Sequence, residues 1–185
     1  MSASASRLPG GCRHPEWQIH WEQIYADRDP AVVSWYQAHP EHSLSLIDDT
    51  GIGSTARILD VGGGASKLVD HLLTAGYRNL TVLDIAAISI ERARLRLGER
   101  AKQVNWLVGD VTNFTTPQPF DVWHDRAVFH FLTNEQDRAF YVESMLNALT
   151  RGGQAIIATF SDSGPSQCNG LEVVRYSPAE LSNTL

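Results

Sequence analysis

Between residues 57 and 66 the chain reads Arg57-Ile-Leu-Asp60-Val-Gly62-Gly63-Gly64-Ala-Ser66. A short apolar run ending on three glycines is a buried strand that leaves its sheet through a tight turn. Leu68, Val69, Leu72 and Leu73 follow at helical spacing, and Gly76 stops that helix. The same rhythm continues: strand at 80–83, helix at 88–100, strand at 104–108, strand core at 120–123. Thr133 and Gln136 form a Thr-x-x-Gln capping box that opens a third helix reaching Ala148. Gly152-Gly153 closes it, and 154–160 is a fifth strand.

Parallel neighbours need crossover helices, so this alternation predicts an α/β fold. It is an open, mostly parallel, Rossmann-like sheet with helices on both faces. Two regions stand outside the rhythm. Residues 17–50, with Trp17, Trp21, Tyr25, Trp35 and Tyr36, are expected as lid helices over the sheet's ligand edge. Residues 161–177 are a polar Gly/Pro-containing loop. The Ser-rich, acid-free stretch 1–16 is expected as a flexible tail, leaving one domain over 17–185.

Composition narrows the function classes. A length of 185 residues suits one domain, and 43 % hydrophobic with 19 % charged residues is ordinary for a soluble protein. A formal net charge of −6 argues against nucleic acid as a partner. Cys12 and Cys168 are far apart with no CxxC, which suits a reducing, cytoplasmic setting. No apolar run approaches the roughly 20 residues of a membrane span.

The glycine loop lies where open parallel sheets bind ligands, beyond the carboxyl ends of the strands. Asp84 ends the next strand, twenty positions after Gly64, where a carboxylate can accept both ribose hydroxyls of an adenosine cofactor. The dinucleotide fingerprint G-x-G-x-x-G/A requires Gly or Ala at position 67, and the chain has Lys67. Asp60-x-Gly62-x-Gly64 instead resembles motif I of class I S-adenosylmethionine-dependent methyltransferases. Asp84 resembles their ribose-binding acid, with Ile85 beside it. Gly109-Asp110-Val111 is similar to the segment that receives the adenine, and 149–153 is similar to the family's L-x-P-G-G with Thr150-Arg151 in place of x-Pro. The similarity spans roughly residues 17–180. It implies S-adenosylmethionine as cofactor, held by Asp60, Gly62, Gly63, Gly64, Asp84, Ile85, Asp110 and Val111.

Residues 123–131, Trp-His-Asp-Arg-Ala-Val-Phe-His-Phe, close the fourth strand. They resemble the D-[KR]-[GA]-x-[FL]-[DH] stretch of class I protein lysine methyltransferases acting on elongation factor and citrate synthase. His20-Trp21-Glu22-Gln23-Ile24-Tyr25 resembles those enzymes' Y-W-x-x-x-Y opening. The resemblance implies Asp125 and Arg126 near the reacting centre, and Trp21, Tyr25 and Trp35 over the methionine end. An ordinary ion pair at Asp125/Arg126 and plain core packing of Trp21 and Trp35 are the alternatives. His124 and His130 have no ligand spacing, so packing histidines are expected and no metal site.

The implied acceptor is a protein side chain, lysine, with a small molecule as the alternative. No Asn/Asp-Pro-Pro-Tyr follows the fourth strand, which counts against DNA amino groups. A cofactor-binding domain without turnover is the reading from another class. Class I sheets end in two further strands, for which too few residues follow 160. A shortened chain, or self-association along the fifth strand's apolar edge, is the resulting expectation.

Overall fold

The computed structural model describes residues 5–8, 11–29, 32–126 and 128–185. Six strands form one parallel sheet in the order β1-β4-β3-β2-β5-β6: β1 (Ser6–Arg7), β2 (Arg57–Val61), β3 (Asn79–Asp84), β4 (Val104–Val108), β5 (Phe120–Arg126) and β6 (Leu149–Ala158). The five strands expected from sequence are all present, and the chain reverses direction across the sheet between β2 and β5. In a doubly wound sheet that switch point opens a crevice.

Helices α1 (Pro15–Asp27), α2 (Glu41–Asp49), α3 (Leu68–Thr74), α4 (Ala87–Leu97), α5 (Glu135–Ala148) and α6 (Pro178–Thr184) complete the fold. Side chains alternate across a strand, so the sheet carries two cores. Ile58, Leu80, Val82 and Val122 meet α2, α3 and α4 through Ile47, Leu68, Leu72, Ile90 and Ala93. Leu59, Leu83 and Trp123 face the other way, onto Tyr141, Met145 and Ala148 of α5.

Four local expectations change. Ser6–Arg7, placed in the tail, pairs in parallel with Leu107–Val108 as an extra edge strand; residues 1–4, 9 and 10 of that stretch lie outside the described residues. The cap of α5 is Asn134, whose side chain accepts from the Gln136 amide at 2.7 Å, and not Thr133. Asn is among the strongest N-caps, and here its backbone is extended. Strand β6 begins at Leu149, directly after α5, because Gly152 at φ 82° lets the strand pass through an irregular register with β5. The sheet ends at β6 among the described residues, while Gln167–Cys168 and Leu171–Glu172 form a separate antiparallel hairpin, β7 and β8. No helix among the described residues is long and apolar enough to cross a membrane.

Candidate active site

The crevice at the switch point is a cavity lined from both sides. Its floor comes from the carboxyl ends of β2, β3 and β4: Val61, Gly62, Asp84, Ile85, Asp110 and Val111. Its roof comes from α1, where Trp17, Trp21 and Tyr25 recur four apart and therefore share one helix face. Trp21 meets Trp35 at 6.1 Å and Phe131 at 5.2 Å, both edge to face, which makes a continuous aromatic wall. Gln18 donates to the Ile85 carbonyl at 3.1 Å, and Glu22 accepts from the Ala87 and Ile88 amides at 2.7 and 3.1 Å. A carboxylate at the first turn of α4 suits the positive end of that helix, so Glu22 fastens the roof to the floor.

Each glycine of the loop has a distinct reason to lack a side chain. Gly62 sits at φ 66°, and a Cβ there would overlap Val128. A Cβ on Gly63 would overlap the Asp60 carboxylate, and one on Gly64 would overlap Ser89 and Asp84. The loop is thus a cradle that brings backbone and two carboxylates together.

Asp84 is 6 % exposed and accepts from the Ala86 amide at 2.8 Å, with further bonds from Ser89 and the Gly64 amide. Burial, assisted by the negative Asp60, raises its pKa to about 7 against the pull of those bonds. Asp60 is buried; its Oδ1 pairs with His124 Nδ1 at 2.7 Å and its Oδ2 has no partner among the described residues. A cavity with an acid at the end of β3 and a glycine cradle where no side chain fits suits an adenosine cofactor that carries hydroxyls.

Asp110 lines the cavity but is already engaged. Thr112 donates to its Oδ1 through amide and hydroxyl at 2.9 and 2.7 Å. The segment before α1 supplies Oδ2 with the Arg13 amide at 3.1 Å and His14 Nδ1 at 2.8 Å. Burial alone would raise this acid, yet the bonds from Thr112 and His14 hold it below its ordinary value. His14 also reaches Asp137 at 3.2 Å and stacks on Trp17 at 4.0 Å. Residues 12–14 of the stretch expected as a free tail are a strap across this edge of the site.

The two residues expected at the reacting centre separate. Asp125 is fully buried and does not line the cavity. Its oxygens accept from the Val128 amide at 2.7 Å, the Phe129 amide at 3.0 Å and the Tyr141 hydroxyl at 2.7 Å. Burial raises it to about 6 despite those bonds. With three donors on its two oxygens, it shapes the loop after β5. The expectation of a catalytic Asp125 meets these loop and α5 partners, and no ion pair with Arg126 joins them among the described residues. Arg126 does line the cavity, its guanidinium held by the Gln37 side chain and by the Trp35 carbonyl at 3.3 Å. Ala127 of that motif lies outside the described residues.

His124, expected as a packing residue, is satisfied at both ring nitrogens, by Asp60 and by Ser43 Oγ at 2.9 Å. Sequence reading missed its attachment to motif I, although the register Asp60↔His124 between β2 and β5 carries it. It missed Glu22, Gln37 and His14 as well, whose partners are remote in sequence. His130 differs from its expectation, for neither ring nitrogen has a partner among the described residues. No group of His, Cys, Asp and Glu among the described residues could hold a metal ion.

Comparison with known proteins agrees with this geometry. A family profile described as a methyltransferase domain matches residues 58–153, just over half of the chain. Nodulation protein S of Rhizobium tropici is 28 % identical over 156 residues, covering 84 % of this chain and 65 % of that protein. The eEF1A lysine and N-terminal methyltransferase of Mus musculus is 27 % identical over 120 residues, covering 64 % of this chain and 17 % of that protein. The chain therefore spans less than two thirds of either relative. Among solved structures, a TehB-like SAM-dependent methyltransferase from Corynebacterium glutamicum matches with a TM-score of 0.60 at 18 % identity, covering 92 % of this chain and 81 % of that one. A structure described as the DhpI-SAM-HEP complex reaches 0.67 at 18 % identity, over 95 % and 88 %. On the matched family profile, which spans the glycine loop, Asp84, Asp110 and the strand that carries Arg126, the chain belongs to the methyltransferase-domain family, in its class I, S-adenosylmethionine-dependent form.

Proposed function

We propose that the chain transfers a methyl group from S-adenosylmethionine to a primary amine, in the first place a lysine side chain of a protein. Asp84 would hold the ribose, Gly62 and Gly64 the methionine end beside Asp60, and Ile85, Val111 and Gly109 the adenine. Trp21 and Tyr25 would cover the donor from α1. The donor supplies an activated methyl; the protein supplies alignment and a dry environment.

The observation that carries the amine reading is Arg126. It is the one cationic side chain among the described residues lining the cavity, whose roof is aromatic and whose floor carries the carboxylates of Asp84 and Asp110. A lysine amine, which in water titrates at about 10.4, pays roughly 4 kcal/mol to be neutral near pH 7.4. Burial and a neighbouring positive charge both disfavour its ammonium form, so Arg126 and the aromatic wall lower that cost. A carboxylate would do the opposite; Asp125 is withdrawn from the cavity, and the two carboxylates that line it, Asp84 and Asp110, lie on the floor that the donor would occupy. The likeness to eEF1A lysine and N-terminal methyltransferases supports a protein amine.

A small-molecule amine is the second reading, favoured by the closed roof where Trp21 meets Trp35 and Phe131. Methyl-labelled S-adenosylmethionine incubated with the chain and a cell lysate separates the two. Label on lysine residues of protein bands is expected. Label confined to the small-molecule fraction would shift the acceptor to the second reading. Donor binding with no release of S-adenosylhomocysteine under any condition would leave a binding domain and overturn the enzyme reading.

A further inference from the structure

Asp110 borders the cavity just beyond β4, where a carboxylate could accept from the exocyclic amine of a bound adenosine. Its oxygens are taken by other donors. The Thr112 amide and hydroxyl both bond to Oδ1. Oδ2 takes the Arg13 amide at 3.1 Å, His14 Nδ1 at 2.8 Å and, more weakly, the Cys12 thiol at 3.7 Å. An ionised carboxylate offers about four lone-pair sites, and five donors converge on this one. The residue is 2 % exposed, and its acceptor capacity is filled by the chain itself.

All three donors on Oδ2 come from the strap that leads into α1. Leu8, earlier in the same stretch, seats on Gly109, where a Cβ would overlap it, and Asn113 donates to the Gly11 carbonyl at 3.3 Å. On the far side, His14 Nε2 meets Asp137 of α5 at 3.2 Å, and Arg13 lies over the Phe140 ring at 4.0 Å. The His14 carbonyl accepts from the Trp17 and Gln18 amides, both at 3.1 Å, while its ring stacks on Trp17 at 4.0 Å. Trp17 is a wall of the cavity. The Asp110 carboxylate thus reaches the cavity through His14, by fixing where the first turn of α1 and Trp17 stand. At this end a base is left to meet Trp17, Ile85 and Val111, which grip by stacking and apolar contact.

We infer that Asp110 is a positioning residue for the roof and not the reader of the donor's base, so that the site takes purine donors with or without the 6-amino group. The inference rests on the S-adenosylmethionine reading above. Asp110 holds His14, and His14 holds Trp17; neither His14 nor the strap before it touches the donor.

The test is calorimetric titration of the parent chain with S-adenosylhomocysteine and with its 6-deamino analogue, in which purine replaces adenine and N1 remains an acceptor. Affinities within about threefold of each other are expected. An analogue weaker by about 10–100-fold, the range for a hydrogen bond to a charged group, would overturn the inference while leaving the donor reading intact. His14→Ala is expected to weaken both ligands alike, by about 3–10-fold, since only part of such a bond is passed on through Trp17. His14→Gln, whose amide can donate to Asp110, is expected to recover most of that loss. Unchanged affinity in His14→Ala would overturn the positioning role, and so would a loss confined to S-adenosylhomocysteine. The parent comparison needs no variant and decides alone if His14→Ala does not fold. A parent chain that binds neither ligand would overturn the donor reading itself, and the inference with it.

Discussion

The Tyr141 hydroxyl donates to Asp125 Oδ2 at 2.7 Å, and Trp123 Nε1 in turn donates to Tyr141 at 2.8 Å, all three residues fully buried. This ties helix α5 to the end of β5 at the place where the chain turns towards Val128 and the cavity wall. Asp125→Ala strands two backbone amides and the tyrosine hydroxyl, each worth about 1–3 kcal/mol when buried and unpaired. Its effect is expected on folding, a loss of about 3 kcal/mol or more in urea unfolding, with Tyr141→Phe losing about half as much. An Asp125→Ala protein of parental stability with a selective fall in kcat would return the residue to the chemistry.

Gly64 and Gly53 make a matched pair for the cradle. A Cβ on Gly64 collides with Asp84 and Ser89, whereas one on Gly53 meets nothing within 4 Å. Gly64→Ala is expected to abolish measurable S-adenosylhomocysteine binding and Gly53→Ala to leave it unchanged. Asp84→Ala should cost about 1.5–3 kcal/mol of binding, as befits hydrogen bonds to a charged acceptor. Parental affinity in a folded Asp84→Ala protein would show that the ribose lies elsewhere.

Because burial, first, and Asp60, second, raise Asp84 to about 7, the free protein carries it partly protonated near neutrality. An acid raised in the folded state binds more protons than the unfolded chain between its ordinary value and 7. This group's contribution to stability therefore falls as pH rises through that window. A cationic donor prefers the ionised acid, so donor affinity should rise with pH from 6 to 8, by up to about tenfold per unit below 7. Asp84→Asn should flatten the profile. Titration calorimetry at four pH values is enough, and a parental profile that is flat, or that falls, contradicts the assignment.

His130 is 1 % exposed, lies between Phe131 and Phe160 at 4.4 and 4.8 Å, and has both ring nitrogens unpartnered among the described residues. Burial lowers its pKa to about 4. A base depressed in the folded state leaves the unfolded chain with more protons between about 4 and 6.5, so stability drops as pH falls through that range. His130→Phe removes this loss and the unsatisfied nitrogens. It is expected to raise the unfolding midpoint, with a gain on the order of 2 kcal/mol at pH 5 and less at pH 8. A variant less stable than the parent at pH 5 would show that the ring is needed as it is.

The parts of the site that were legible are those written in the backbone. Asp60, Gly62, Gly64 and Asp84 sit at strand ends, where a glycine run and a fixed spacing leave one arrangement. Asp125 and Arg126 were placed correctly at the end of β5, yet which of the two faces the cavity was not legible. Successive side chains point to opposite faces, and only the packing of α5 through Tyr141 decides which face is buried. The link from Asp60 to His124 follows from strand order, since the two are 64 positions apart and become neighbours only when β5 docks beside β2. The strap made by residues 6–8 and 11–14 had no apolar period to announce it. It is held by the carboxylate of Asp110, a partner nearly a hundred residues away.

The roof of aromatic residues also makes the molecule its own optical probe. Of its five tryptophans, Trp17, Trp21 and Trp35 line the cavity, while Trp106 and Trp123 are buried in the two cores with their indole N–H groups bonded to the Ala101 carbonyl and to Tyr141. Emission from the first three responds to anything that enters the crevice or lifts α1, and the other two supply a constant background. Occupancy, closure of the roof and the rate of each are therefore readable by intrinsic fluorescence, without a label. Trp106→Phe would remove half of that background while leaving every cavity indole in place.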